Sequence, residues 1–206
     1  MGFIQRSFLK LLFLVLFATS CIQNNNGFNR SSYCIKNFPL IEQPDEITCG
    51  PTSACMLLKF YGHNLSVNNI KYKSHTYWFD YGNKPIGMTS PCLLTNALTE
   101  CGLPCSIFQG NLNELKRNLQ KDKPVIVLLR HSQFLWHYMV AIGFDKENIV
   151  LANPANGKKI KLKNNIFSNA WDFSADLKGN NCSSGSIVFM LNLTEVYPCT
   201  MIVPIV

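Results

Sequence analysis

At 206 residues, 47% of them hydrophobic and 15% charged, the chain carries enough apolar material for one packed domain and lacks the composition of a disordered or low-complexity segment. Its formal net charge of +7 comes without a basic patch interleaved with aromatics, which argues against nucleic acid as a partner. An anionic membrane or polymer surface suits that charge better.

Residues 1–20 read as an export signal. Arg6 and Lys10 form a basic region, Leu11 to Phe17 an apolar one, and Ala18, Thr19 and Ser20 are the small residues expected before a cleavage site. The apolar run is too short to cross a membrane and leads into the polar stretch Gln23 to Asn26, so no transmembrane helix is expected in the mature chain. Cys21, directly after Ala-Thr-Ser, resembles the lipidated cysteine of a bacterial lipobox; plain cleavage of the signal is the alternative. Either route leads to the periplasm, the outer membrane or the exterior. Asn29, Asn64, Asn181 and Asn192 each begin an Asn-x-Ser/Thr triplet, which would matter in a glycosylating host. Residues 21–38 read as an N-terminal extension, 39–191 as the folded domain and 192–206 as a C-terminal extension.

Helical patterns come first. Cys49 and Gly50-Pro51-Thr52-Ser53-Ala54 open a helix with Pro51 in its first turn, an apolar stripe at Met56, Leu57, Phe60 and Tyr61, and a stop at Gly62. Ser66 caps a short helix through Lys73. Ser74 to Gly87, with Tyr77, Trp78, Phe79 and Tyr81, reads as a long aromatic connection that either plugs the core or walls a substrate groove. Pro91 starts a helix that runs to Glu100 and stops at Gly102, and Asn111 caps another over Leu112 to Leu119. Strands follow at Pro124–Leu129, Tyr138–Phe144, Ile149–Ala152, Lys159–Leu162 and Ser186–Leu191. Lys158, Lys159, Lys161 and Lys163 alternate with Ile160 and Leu162 as on the solvent face of an edge strand. The pattern is α+β, a helical lobe packed on an antiparallel sheet.

Nine cysteines in an exported chain imply disulfides. With Cys21 and Cys49 set aside and Cys55 expected as a buried free thiol, Cys34, Cys92, Cys101, Cys105, Cys182 and Cys199 remain for up to three bridges. No Cys-x2-Cys or His-x3-His pair occurs, so neither a metal nor a cofactor is expected.

Four residues carry a coherent chemistry. Cys49 at a helix N-terminus is placed to act as a thiolate, because unpaired backbone N–H groups and a neighbouring imidazolium favour negative sulfur. His137, at the head of an apolar strand, supplies the imidazole. Asn153, after the next strand, can accept from one ring nitrogen and leave the other to face the sulfur. Gln43, six residues before the cysteine, can aim its amide at the oxyanion of a tetrahedral intermediate. Taken singly, each has a plainer reading: a packed or bridged cysteine, an edge histidine, a solvated glutamine, an Asn-Pro turn. The chain order of the four is what points to a thiol hydrolase.

QPDEITCGPTSACMLLKFYG, from Gln43 to Gly62, resembles the active-site signature of the C39 peptidase superfamily, the double-glycine leader peptidases and their stand-alone relatives. His137 to Asp145 resembles that family's histidine strand; Asn153-Pro154 stands where the family usually has Asp-Pro, Gly157 follows, and Phe167 with Trp171 resembles its late Phe-x-x-x-Trp element. The resemblance implies a papain-like fold and an exported cysteine peptidase or amide hydrolase that acts on a peptide or protein through an acyl-enzyme thioester. It makes Cys49 the nucleophile, His137 the general base and acid, Asn153 the orienting residue and Gln43 the oxyanion donor. An idle peptide-binding module and an acyltransferase of transglutaminase type are the alternatives on the same fold. His131, outside the apolar strand, is expected to be dispensable, and Asp145 and Asn156 are next in line for the third role.

Overall fold

A computed structural model describes residues 30–81, 84–131, 135–174 and 197–206. In chain order it runs β1 (Tyr33–Cys34), α1 (Cys49–Phe60), α2 (Val67–Lys73), β2 (Tyr77–Tyr81), β3 (Lys84–Met88), α3 (Pro91–Glu100) and β4 (Cys105–Gln109). There follow α4 (Leu112–Gln120), β5 (Val125–Arg130), β6 (Trp136–Phe144), β7 (Asn148–Asn153), β8 (Lys158–Lys163), α5 (Asn164–Trp171) and β9 (Thr200–Pro204).

The helix signals act where the residue types put them. Ser66 accepts from the Asn69 N–H, and the Asn69 side chain returns a bond to the Ser66 N–H, closing a capping box at the head of α2. Asn111 and Glu114 do the same for α4. Gly62 and Gly102 follow α1 and α3 in left-handed conformations, at φ of 87° and 89°.

The strands form one antiparallel sheet in the order β4-β9-β5-β6-β7-β8, and β1 pairs with the far end of β6. β6 lies between β5 and β7, with Leu129 opposite His137 and Val140 opposite Ala152. A bulge between Ala141 and Gly143 lets β1 come in close: a Cβ on Gly143 would sit 2.6 Å from the Tyr33 carbonyl oxygen. β8 is an edge strand, as its lysine alternation requires, with Lys158, Lys159, Lys161 and Lys163 exposed and Ile160 and Leu162 half-buried. The core lies between this sheet and the helices, where Ala54 to Leu58 of α1 meet Val140 and Ala141 of β6 and the apolar side chains of β5.

Several expectations need correction. Ser74 to Gly87 is no open connection: β2 and β3 pair as a separate hairpin, with Tyr77 opposite Met88. Tyr77 and Trp78 are exposed, so these two aromatics do not plug the core. Residues 33–34 and 200–204, within stretches read as extensions, each add a strand to the main sheet. β4 and α5 were also not foreseen, because short segments without a clear period give a weak local signal. The expected strand Ser186–Leu191 lies outside the described residues.

The cysteines also differ from expectation. No disulfide joins any two described cysteines. The register keeps them apart: Cys34 sits opposite Gly143 and Cys105 opposite Pro204. Cys55 is a buried thiol, as expected, and donates to the Leu65 carbonyl at 3.1 Å. Cys21 and Cys182 lie outside the described residues.

α5 fastens β9 into the sheet. Phe167 and Trp171 are buried with ring centroids 5.2 Å apart, the Trp171 indole donates to the Thr200 carbonyl at 3.0 Å, and the Cys199 N–H donates to the Trp171 carbonyl. Phe167→Ala should therefore cost ~3–5 kcal/mol in urea unfolding. A loss below about 1 kcal/mol would show that α5 is not part of the cooperative core.

Candidate active site

Cys49 is the first residue of α1, after Thr48. Backbone N–H groups from three places draw the thiol pKa down: its own, that of Gly50 and, with the strongest pull, that of Tyr138 on β6. The last of these brings the thiol alongside the strand segment that carries His137. Close approach is possible because residue 50 is glycine; an added Cβ there would lie 3.1 Å from the Tyr138 ring. Burial nevertheless dominates the thiol and pushes its pKa above the ordinary value, against the pull of those N–H groups and with a small upward push from the Asp45 charge.

His137 and Asn153 are joined directly, His137 Nε2 to Asn153 Oδ1 at 2.8 Å. The same Oδ1 accepts the Ala155 backbone N–H at 3.0 Å, which identifies that atom as the oxygen of the amide. An oxygen can only accept, so Nε2 carries the proton and Nδ1 keeps its lone pair. That tautomer is the one a base toward a thiol needs. Burial holds the imidazole pKa below the ordinary histidine value; the bond to Asn153 raises it and the neighbouring His131 lowers it.

Gln43 is tied to the same corner through its backbone, whose N–H donates to the Pro154 carbonyl at 2.8 Å. Gly157, at φ +58°, gives this strap its room, since a Cβ there would stand 3.0 Å from the Glu42 nitrogen. The Gln43 side chain donates through Nε2 to the Asp45 carbonyl at 2.7 Å, and its Oε1 is buried without a hydrogen-bond partner. One of the two amide hydrogens is thus engaged inside the loop and the other is uncommitted. The sequence placed this amide toward the sulfur; it did not foresee the tether to Asp45.

The fold therefore gathers all four residues at one corner of the sheet, where the head of α1 meets the start of β6 and the end of β7. Asp145 and Asn156 are engaged elsewhere. Asp145 binds Lys161 Nζ at 3.0 Å and the N–H groups of Glu147 and Asn148 in the β6–β7 turn, and Asn156 accepts from the Lys158 N–H in the β7–β8 turn. His131, expected to be dispensable, lies close to His137. Its ring centroid lies 6.5 Å from that of His137. Strand pairing brings it there: the pairing of β5 with β6 continues through the His131 N–H to the Leu135 carbonyl, and Leu129 faces His137, so His131 is its diagonal neighbour across the two strands. Among the described residues no group of His, Cys, Asp or Glu is arranged to hold a metal ion.

These contacts act on the imidazole with opposite signs. Asn153→Ala removes a bond that raises the His137 pKa, so the titration midpoint should fall; His131→Ala removes a neighbouring ring whose electrostatic influence lowers it, so the midpoint should rise. Carbon-bound proton shifts of the His137 ring, followed by NMR across pH, will read both, and shifts of the same sign would contradict the assignment. The rate of Cys49 alkylation by iodoacetamide should climb with pH to a midpoint above the ordinary thiol value of about 8.5. A rate already at its plateau at neutral pH would show that burial does not govern the resting thiol.

A profile of the Peptidase_C39 like family matches residues 35–177. The Lactococcin-G-processing and transport ATP-binding protein LagD of Lactococcus lactis subsp. lactis is 26% identical over 132 residues, which are 64% of this chain and 17% of LagD. The chain thus spans less than a fifth of that relative's length. Of solved structures, a C39-like peptidase from Bacillus anthracis superposes with a TM-score of 0.63 at 14% identity, over 86% of this chain and 98% of that one. A double glycine motif protease from an AMS/PCAT transporter, in complex with the leader peptide, gives 0.53 at 14% identity, over 86% and 96%. At such identities the superpositions speak to the fold, while the profile covers most of the sequence: this chain belongs to the Peptidase_C39 like family.

Proposed function

We propose that the protein is a cysteine peptidase or closely related amide hydrolase acting on a peptide or protein substrate through a Cys49-His137-Asn153 triad. The observation that carries this reading is the oriented pair His137–Asn153, with Nε2 protonated and Nδ1 left as a base, beside a thiol at a helix N-terminus. A peptide substrate fits the leader peptide bound by the AMS/PCAT protease.

In this mechanism Nδ1 of His137 takes the thiol proton as the Cys49 sulfur adds to the scissile carbonyl. The resulting oxyanion meets the N–H groups at the head of α1 and the free hydrogen of the Gln43 amide. The imidazolium is steadied by Asn153 Oδ1 and returns its proton to the departing amine, leaving a thioester on Cys49. Water, deprotonated by the same imidazole, adds to the thioester and releases the acid and the free thiol. An amine in place of water would give acyl transfer by the same steps. Residues 1–20 support action outside the cytoplasm.

Cys49→Ala and His137→Ala should each remove nearly all turnover of a peptide substrate while circular dichroism stays unchanged. Trapping a substrate acyl group on Cys49 by mass spectrometry is the direct test, and its absence with every peptide or ester tried would favour the idle peptide-binding alternative. Gln43→Ala should raise the barrier by ~2.7–4 kcal/mol; a loss under about tenfold would reject the oxyanion role. Asn153→Asp should keep activity, since a carboxylate can accept from both His137 and the Ala155 N–H. Its negative charge should move the limb set by imidazole titration to higher pH.

A further inference from the structure

Asp45 stands outside the triad, yet it joins three residues of the loop between Gln43 and Cys49 to one another and to α2. Its backbone carbonyl accepts from Gln43 Nε2 at 2.7 Å and from the Thr48 hydroxyl at 3.3 Å. Its carboxylate divides its oxygens: Oδ1 accepts the Ile47 N–H at 3.0 Å, closing a tight turn, and Oδ2 meets Lys71 Nζ of α2 at 3.2 Å. The turn closed by Oδ1 fixes the direction of the Asp45 peptide and therefore where its carbonyl points. Because Gln43 Oε1 is buried without a partner, that carbonyl is the described hydrogen-bond partner that sets the rotation of the Gln43 amide.

The Lys71–Asp45 pair is too exposed to matter much as a source of stability, with side-chain exposures of 28% and 40%. Its value is geometric, because α2 packs on α1 and offers the loop a fixed point on the same body that carries Cys49.

We propose that Asp45 is a positioning residue: anchored by Lys71, it holds the Gln43 amide with one hydrogen tethered and the other aimed at the oxyanion that forms on substrate attached to Cys49. This rests on the peptidase reading above. An effect exerted through oxyanion stabilisation appears in turnover and spares substrate binding.

The experiment compares wild type with Asp45→Ala, Asp45→Asn, Lys71→Met, Gln43→Ala and the Asp45→Ala/Gln43→Ala double variant. Asp45→Ala should lower kcat by about tenfold or more with KM nearly unchanged. Asp45→Asn keeps an oxygen for the Ile47 N–H and should recover most of that loss, and Lys71→Met should show a smaller fall of the same kind. The double variant should be no slower than Gln43→Ala alone, since both changes remove one interaction. Turnover of Asp45→Ala within about twofold of wild type, or a double variant slowed by the full product of the two single effects, overturns the proposal. A second readout needs no activity. In wild type one proton of the Gln43 side-chain amide, observed by nitrogen-15 NMR, should exchange slowly with solvent, and in Asp45→Ala both should exchange as in a free amide. If wild type hydrolyses nothing while that protection is lost on substitution, the peptidase reading fails and the positioning role stands. Unchanged protection removes the positioning role whatever the activity. Should Asp45→Ala not fold, the same comparisons on Asp45→Asn and Lys71→Met decide the matter, with full kcat and full protection in Lys71→Met as the overturning result.

Discussion

Helix α1 is buried along nine successive residues, Gly50 to Leu58, and the site depends on how its first turn meets β6. A helix buried so completely must bring its N-terminal N–H groups inside, where each needs a partner. The Cys49 sulfur lies among them, together with the N–H of Tyr138. The contact has little slack, because Gly50 rests on the Tyr138 ring and the Tyr138 hydroxyl donates to the Thr89 carbonyl at 2.8 Å. From Thr89 a run of hydroxyl contacts continues through Thr76 to Ser74. Gly87 presses the β2–β3 hairpin onto Ile47, where a Cβ would lie 2.3 Å from the Ile47 Cβ. Helix α1, strand β6, the hairpin and the Gln43–Cys49 loop are therefore linked by direct contacts.

That burial has an electrostatic consequence. It raises the thiol pKa and lowers that of the imidazole, so at both groups burial favours the uncharged form. An asparagine in the third position suits such a site. Its oxygen fixes the tautomer of His137, and Ala155 fixes the asparagine in turn, without a second buried charge beside the ring. A carboxylate there would favour the imidazolium more strongly and would have to be desolvated at the same corner.

The thiols show how far composition carries. Nine cysteines and an export-like N-terminus argue for bridges, yet a bridge needs two Cβ atoms within about 4.5 Å of one another. Antiparallel register sets those distances strand by strand, and it places glycine and proline opposite the cysteines of β1 and β4.

Local chemistry made much of this protein legible in advance. The caps at Ser66 and Asn111, the helix-opening Cys49-Gly50-Pro51, the lysine-alternating edge strand and the order of Gln43, Cys49, His137 and Asn153 all rest on interactions within a few residues or on the residue types a reaction needs. Capping, periodicity and nucleophile chemistry are short-range, so a linear string records them. Other features arise from contacts between residues far apart in the chain, and only the tertiary structure decided those. β9 enters the sheet between β4 and β5 because Trp171 and Thr200 meet across 29 residues. The hairpin forms where an aromatic connection was read, and His131 comes beside His137 through strand pairing. The tether that turns the Gln43 amide likewise depends on Lys71, a residue of a separate helix brought to Asp45 by the packing of α2 on α1.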